Sequence, residues 1–160
     1  MAVSGGGGDI AQRPAPACCG GNGNVGRPLS VSDCFDRGLR RRRRAPLPIE
    51  AHARSDGNGL SAAFSIRLRD GGGTIGDVGF RADTCVTLIA YCERLAELAT
   101  GRSLDTAARL SAPDLVAELA GVPPLKQDRA TLAVAAFRAA LAACGDGSMS
   151  LQSEPGEARP

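Results

Sequence analysis

Residues 60–69 alternate between apolar and polar side chains, with Ala62, Phe64, Ile66 and Leu68 on one side and Ser61, Ser65, Arg67 and Arg69 on the other. A period of two is that of a strand with one buried face. The string Asp70-Gly71-Gly72-Gly73 supplies a tight reversal, and residues 75–80, with Val78 and Phe80 two apart, complete an antiparallel hairpin. The period then lengthens to that of a helix: Cys85, Leu88, Ile89, Cys92, Leu95, Ala96 and Ala99 form one apolar face, ended by Gly101. Ser103 can cap a short helix through Leu110, and Ser111, with Pro113 in the first turn, opens another through about Ala120 that Gly121 closes. After Val122-Pro123-Pro124, the last helix spans residues 128–144 with Val134, Phe137 and Leu141 on one face. Upstream, Ser32 caps a short helix carrying Phe35 and Leu39, which must stop before Pro46. This order predicts an α+β fold, a small antiparallel β-sheet packed against a helical layer.

The flanks carry no such period. Residues 1–28 are mostly Gly, Pro, Ala and Asn, too poor in apolar surface to offset the entropy of ordering. The expected organisation is a disordered tail over residues 1–28, a domain over 29–144 and a second disordered tail over 145–160. At 160 residues, 43% apolar and 22% charged, the chain has room for one small domain. Trp is absent and aromatics make up 3%, so the core must come from Ala, Leu, Val and Ile, and marginal stability is expected. Residues 1–26 hold no apolar run long enough for a secretory signal, and the longest apolar stretch, 130–144, is interrupted by Arg138. The expectation is a cytoplasmic protein with no membrane partner, whose six cysteines, at 18, 19, 34, 85, 92 and 144, are thiols.

Charge changes the picture only locally. The formal net charge is +2, but residues 1–58 hold nine Arg against five acids, and residues 59–160 hold ten basic side chains against twelve acidic ones. The run Arg40, Arg41, Arg42, Arg43 and Arg44 reads in three ways. It can be a solvated helix end whose cations suit the macrodipole. It can also dock on an acidic protein surface, or bind nucleic acid, the reading least favoured because no aromatic residue is interleaved for base stacking.

Candidate chemistry is sparse. There is a single His, His52, no C-x-x-C pair, and one Lys, Lys126, outside any phosphate-loop pattern. A nucleophilic triad and a phosphate loop are excluded, and the chain is not expected to be an enzyme. Cys85 lies where a strand hands over to a helix, and helix N-terminal amides favour thiolate, the form that ligates metal or attacks sulfur. It reads equally well as the first small apolar residue of the stripe. Cys92 continues that stripe as a hydrophobe, and Cys144, at a helix C-terminus, has no expected role. Cys34 can reach Cys85 only through tertiary folding. Asp128 reads as a capping carboxylate that a meeting of two helix N-termini could bring toward Cys85. The vicinal Cys18 and Cys19 read as exposed thiols or as a transient metal-capture pair.

Four strings occur in a characteristic order: Phe80-Arg81-Ala82-Asp83-Thr84-Cys85, Thr100-Gly101-Arg102-Ser103-Leu104, Val122-Pro123-Pro124-Leu125-Lys126 and Ala130-Thr131-Leu132-Ala133. Over residues 33–143 the chain thereby resembles the NifU/IscU-type scaffold proteins of iron–sulfur cluster assembly. In that family the hairpin and helix N-termini converge on three cysteines, an aspartate near the first and a histidine immediately before the third. The resemblance puts the central cysteine on Cys85. The first cysteine and its aspartate fall at about Leu60 and about Ala62, and the His-Cys pair falls on Asp128-Arg129. It implies a scaffold-like protein handling iron or an iron–sulfur cluster through Cys85 and Asp128, with an incomplete ligand set, since a [2Fe–2S] cluster takes four ligands. Cys34, a second subunit in a homodimer or a partner could complete that set. The alternative is a cluster-free adaptor that docks on a cysteine desulfurase or an Hsp70-type chaperone. In the family the chaperone recognises the segment matched by Pro123, Pro124, Leu125 and Lys126, which by itself also reads as a rigid turn. A third outcome is a basic binding module built on the arginine run.

Overall fold

The computed structural model describes residues 28–55 and 57–147. The Cys18-Cys19 pair, most of the expected N-terminal tail and residues 148–160 lie outside the described residues. The elements run β1 (Leu29–Ser30), α1 (Val31–Arg42), β2 (Ile49–Arg54), β3 (Ser61–Leu68), β4 (Ile75–Ala82), α2 (Val86–Ala99), α3 (Leu104–Ala108), α4 (Ala112–Glu118), β5 (Leu119–Ala120), a 3₁₀ turn (Pro124–Lys126) and α5 (Asp128–Gly147).

The predicted hairpin is β3 and β4, with Phe64 opposite Phe80 and Ala62 opposite Ala82. Its alternation does what a period of two requires: Ala62, Phe64, Ile66, Val78, Phe80 and Ala82 are all buried on one face. Gly71 and Gly72 turn the chain at φ of +96° and +76°, a region that side chains with a Cβ avoid. The sheet has a third strand that the periodicity reading does not include. In β2, Ile49, Ala51 and Ala53 face inward and Glu50, His52 and Arg54 outward, paired antiparallel with β3. The alternation is present in the sequence, but it rests on two alanines and follows Pro46 and Pro48, so it reads as loop.

Helices α2 and α5 cover the inner face of the sheet, and Phe64 meets Phe80 and Phe137 with ring centroids 5.9 and 5.4 Å apart. The structure thus has the α+β architecture, a small antiparallel sheet under a helical layer. Helix α1 lies on α2, close enough that Gly38 faces the backbone and side chain of Ile89.

Several boundaries differ from expectation. Helix α1 is capped by Ser30, which accepts from the Ser32 amide at 3.2 Å, and not by Ser32. Ser30 is free to cap because β1 is held in extended form by parallel pairing with β5, Leu29 opposite Leu119. The same pairing ends α4 at Glu118, short of Ala120. Helix α5 continues past residue 144 to Gly147.

The arginine run is not a uniformly solvated helix end. Arg41 forms a 2.7 Å ion pair with Glu93, whose side chain is 3% exposed, and donates to the Val78 carbonyl at 2.9 Å. Arg44 lies 3.5 Å from Asp77. Among the described residues, no helix is long and apolar enough to cross a membrane.

Candidate functional site

Three segments meet beside the first residue of α2. Cys85 is the N-cap of that helix, in extended backbone conformation, with no side-chain cap hydrogen bond, and it is half-buried. The connection leading into it is fixed by Asp83, whose carboxylate accepts from the Ser61 amide at 2.6 Å and the Ser61 hydroxyl at 3.0 Å. From the turn before β3, Asn58 donates to Asp128 Oδ2 at 3.1 Å. Asp128 opens α5, where a carboxylate complements the exposed amides of a helix start.

Arg129 joins these groups. Its guanidinium donates to the Asp128 carboxylate and, at 3.1 Å, to the Leu125 carbonyl. Asp128 raises the pKa of that guanidinium above its ordinary value through a hydrogen bond, with burial opposing and the adjacent Cys85 thiol adding a smaller push in the same direction. Arg129 Nε and the hydroxyl of buried Tyr91 have no hydrogen-bond partner among the described residues. Burial raises the Tyr91 pKa, and the negative charge of Asp128 adds to it.

The two residues that the resemblance put forward as ligands, Cys85 and Asp128, therefore stand at the same end of the molecule, with Arg129 bonded to Asp128 and within electrostatic reach of Cys85. Cys34 is not brought to them. It is buried against the far half of α2, where Arg37 donates to its sulfur at 3.3 Å and Glu97 pairs with Arg37 at 2.8 Å. Residue 97 is about 18 Å along the helix axis from residue 85. Cys92 and Cys144 are core residues, and burial pushes the thiols of Cys34, Cys92 and Cys144 up from their ordinary pKa. Ala62, near which the resemblance put the family's aspartate, is 2% exposed within the core.

Pro123, Pro124, Leu125 and Lys126 are exposed and form the 3₁₀ turn that leads into the site. Leu125 is 90% exposed, and Val86, next to Cys85, is 49% exposed; these are the two exposed large hydrophobics among the described residues. Val86 adjoins Cys85 in the chain, and the Leu125 carbonyl accepts from Arg129, so each lies next to one member of the site.

The donor set does not fit an iron–sulfur cluster. It consists of one thiol, one carboxylate already bonded to Asn58 and Arg129, and a guanidinium that is always charged, has no lone pair to offer and repels a metal cation. Among the described residues no group of three His, Cys, Asp or Glu side chains is placed to hold a metal ion. Sequence reasoning placed Arg129 at a family cysteine position but gave it no role. It missed Asn58 and Tyr91, whose parts depend on contacts between distant segments.

Comparison with known proteins bears on this geometry. A family model described as the NifU-like N terminal domain matches residues 37–147. The Bifunctional protein NifU/MnmA of Rubrobacter xylanophilus is 44% identical over 83 residues, which is 51% of this chain and 17% of that protein. The chain therefore spans less than a fifth of that relative's length. A crystal structure of a nitrogen-fixing NifU-like protein (N-terminal) from Brucella abortus aligns at 18% identity and a TM-score of 0.36, over 71% of this chain and 87% of that one.

Proposed function

Because the chain belongs to the NifU-like N-terminal domain family, we propose that it serves iron–sulfur cluster assembly as a docking partner and does not by itself cage a cluster. One observation carries this reading: Arg129, a fixed cation bonded to Asp128 and beside Cys85, occupies the ground on which a cationic cargo would have to sit. The exposed side chains of Val86 and Leu125 support docking, since an exposed leucine on a turn stiffened by two prolines is an anchor held ready at little entropic cost. The partners of choice under this reading are a cysteine desulfurase and an Hsp70-type chaperone.

A second reading keeps a role for sulfur or iron. Cys85 is the one half-buried thiol among the four described cysteines, the others being core residues, so it could accept sulfur or contribute a single ligand to a site that a partner completes.

Calorimetric titration of the chelator-treated chain into each partner tests the docking reading. Binding to at least one of them should survive chelation and weaken about tenfold in Leu125→Ala, the loss of roughly 1.4 kcal/mol expected for an exposed anchor. Binding that appears only after loading with iron, or no binding to either protein, would overturn it.

A further inference from the structure

The face of the sheet turned away from α2 and α5 carries a feature that the family site does not use. Strand register aligns His52, Ala63 and Arg81 in one row across β2, β3 and β4. Between two long side chains, Ala63 offers only a methyl group, so the row forms a floor with raised ends. The end of α1 brings in Arg42, and the result is a hollow of about 410 Å³ whose lining includes Arg42, His52, Ser61, Ala63, Arg81 and Asp83.

The charge of this hollow is one-sided. Asp83 is the single acid in its lining, and one of its oxygens is taken by the amide and hydroxyl of Ser61. Arg42 and Arg81 take part in none of the ion pairs among the described residues, whereas Arg37, Arg41, Arg44, Arg94 and Arg129 are each paired with a carboxylate. The fold has thus committed Arg41 and Arg44 to its own carboxylates and left Arg42 free, at the rim of a concavity that two other nitrogen-bearing side chains share.

We propose that this hollow docks an acidic segment of a partner polypeptide, with a carboxylate seated over Ala63 between Arg42, His52 and Arg81. Guanidinium donors arranged around a shallow floor match a carboxylate side chain, which accepts from two directions at once. A nucleic acid would bring the same charge, but Phe64, Phe80, Tyr91 and Phe137 are all buried, so His52 is the one ring the hollow offers a base, against the several that a stacking platform uses. Asp83, in the lining of the hollow, is two residues before Cys85 in the chain. The proposal needs neither metal nor thiol, and it stands or falls independently of the cluster question.

Fluorescence anisotropy with a labelled alternating Glu-Gly peptide tests it on the full chain at low and near-physiological salt. The double variant Arg42→Gln/Arg81→Gln is compared with Arg102→Gln/Arg109→Gln, which removes the same charge from exposed positions elsewhere. The first pair should weaken binding about tenfold and the second less than about twofold, with both variants keeping the wild-type circular dichroism spectrum. Equal weakening by the two pairs would mean that only net charge is sensed, and would overturn the proposal. So would failure of the wild-type chain to bind the peptide, or tighter binding of a DNA duplex that Arg42→Gln/Arg81→Gln abolishes.

Discussion

Arg129 stands in the first turn of α5, where the helix macrodipole already repels a cation, so its place depends on the anionic side of its surroundings. Asp128 supplies that side, and Cys85, half-buried at the start of α2, is the accessible thiol nearby. The consequence for the thiols is measurable. In a Cys18→Ser/Cys19→Ser background, the native protein should release one rapid equivalent with a chromogenic disulfide, from Cys85. Cys34, Cys92 and Cys144 should react only on unfolding, because burial both raises their pKa and blocks access. A rapid equivalent that persists in the further variant Cys85→Ser would contradict this. At this scale the sequence was legible where chemistry coincides with a change of period. Cys85 falls at the switch from strand to helix, and Asp128 at a helix start. The partnership of Asn58 with Asp128 was not legible, since it spans 70 residues and depends on how the hairpin settles against α5.

Among the elements, α1 is the one whose reading changes most. Its arginines look alike in sequence, but Arg41 neutralises a buried carboxylate while Arg40 is exposed and unpaired among the described residues. Removing one partner of a buried pair leaves the other charge without compensation, so Arg41→Ala should cost about 3–5 kcal/mol of stability. Arg40→Ala should stay within about 0.5 kcal/mol. Urea unfolding of the two variants separates these values directly, and equal midpoints would refute the assignment. The contact between α1 and α2 gives a second test. A Cβ on Gly38 would meet Ile89 Cγ2 at 2.7 Å and the Ile89 carbonyl oxygen at 3.1 Å. Gly38→Ala should therefore destabilise by about 1–3 kcal/mol despite the roughly 1 kcal/mol gain in helix propensity. A rise in the midpoint would show that the helices can separate at no cost. Helices α2 to α5 were readable because caps such as Ser103 and the reciprocal Ser111–Asp114 box are local signals. Strand β2 escaped because alanine carries little apolar weight, and β1 because its partner strand is some ninety residues away in the chain.

For the whole molecule, family membership and architecture follow from strings whose order survives where individual ligands do not. The fold brings Cys85 and the start of α5 to one end of the molecule, and where the resemblance put family donors, at residues 60, 62 and 129, the chain has Leu, Ala and Arg. If the donor set is what keeps the chain from caging a cluster, as proposed above, supplying donors there should confer binding. Leu60→Cys/Ala62→Asp/Arg129→Cys adds two thiols and a carboxylate around Cys85 and removes the fixed cation, approaching the four ligands a cluster takes. That variant should gain bound iron and visible charge-transfer absorption after anaerobic reconstitution.

Whether the chain cages a cluster is decided by the same anaerobic iron and sulfide analysis on the wild type, with Cys85→Ser beside it. Neither protein should retain stoichiometric iron and sulfide after desalting, and their visible spectra should coincide. A stoichiometric cluster on the wild type that is lost in Cys85→Ser would contradict this, and would make this chain a true scaffold with ligands drawn from outside the family set.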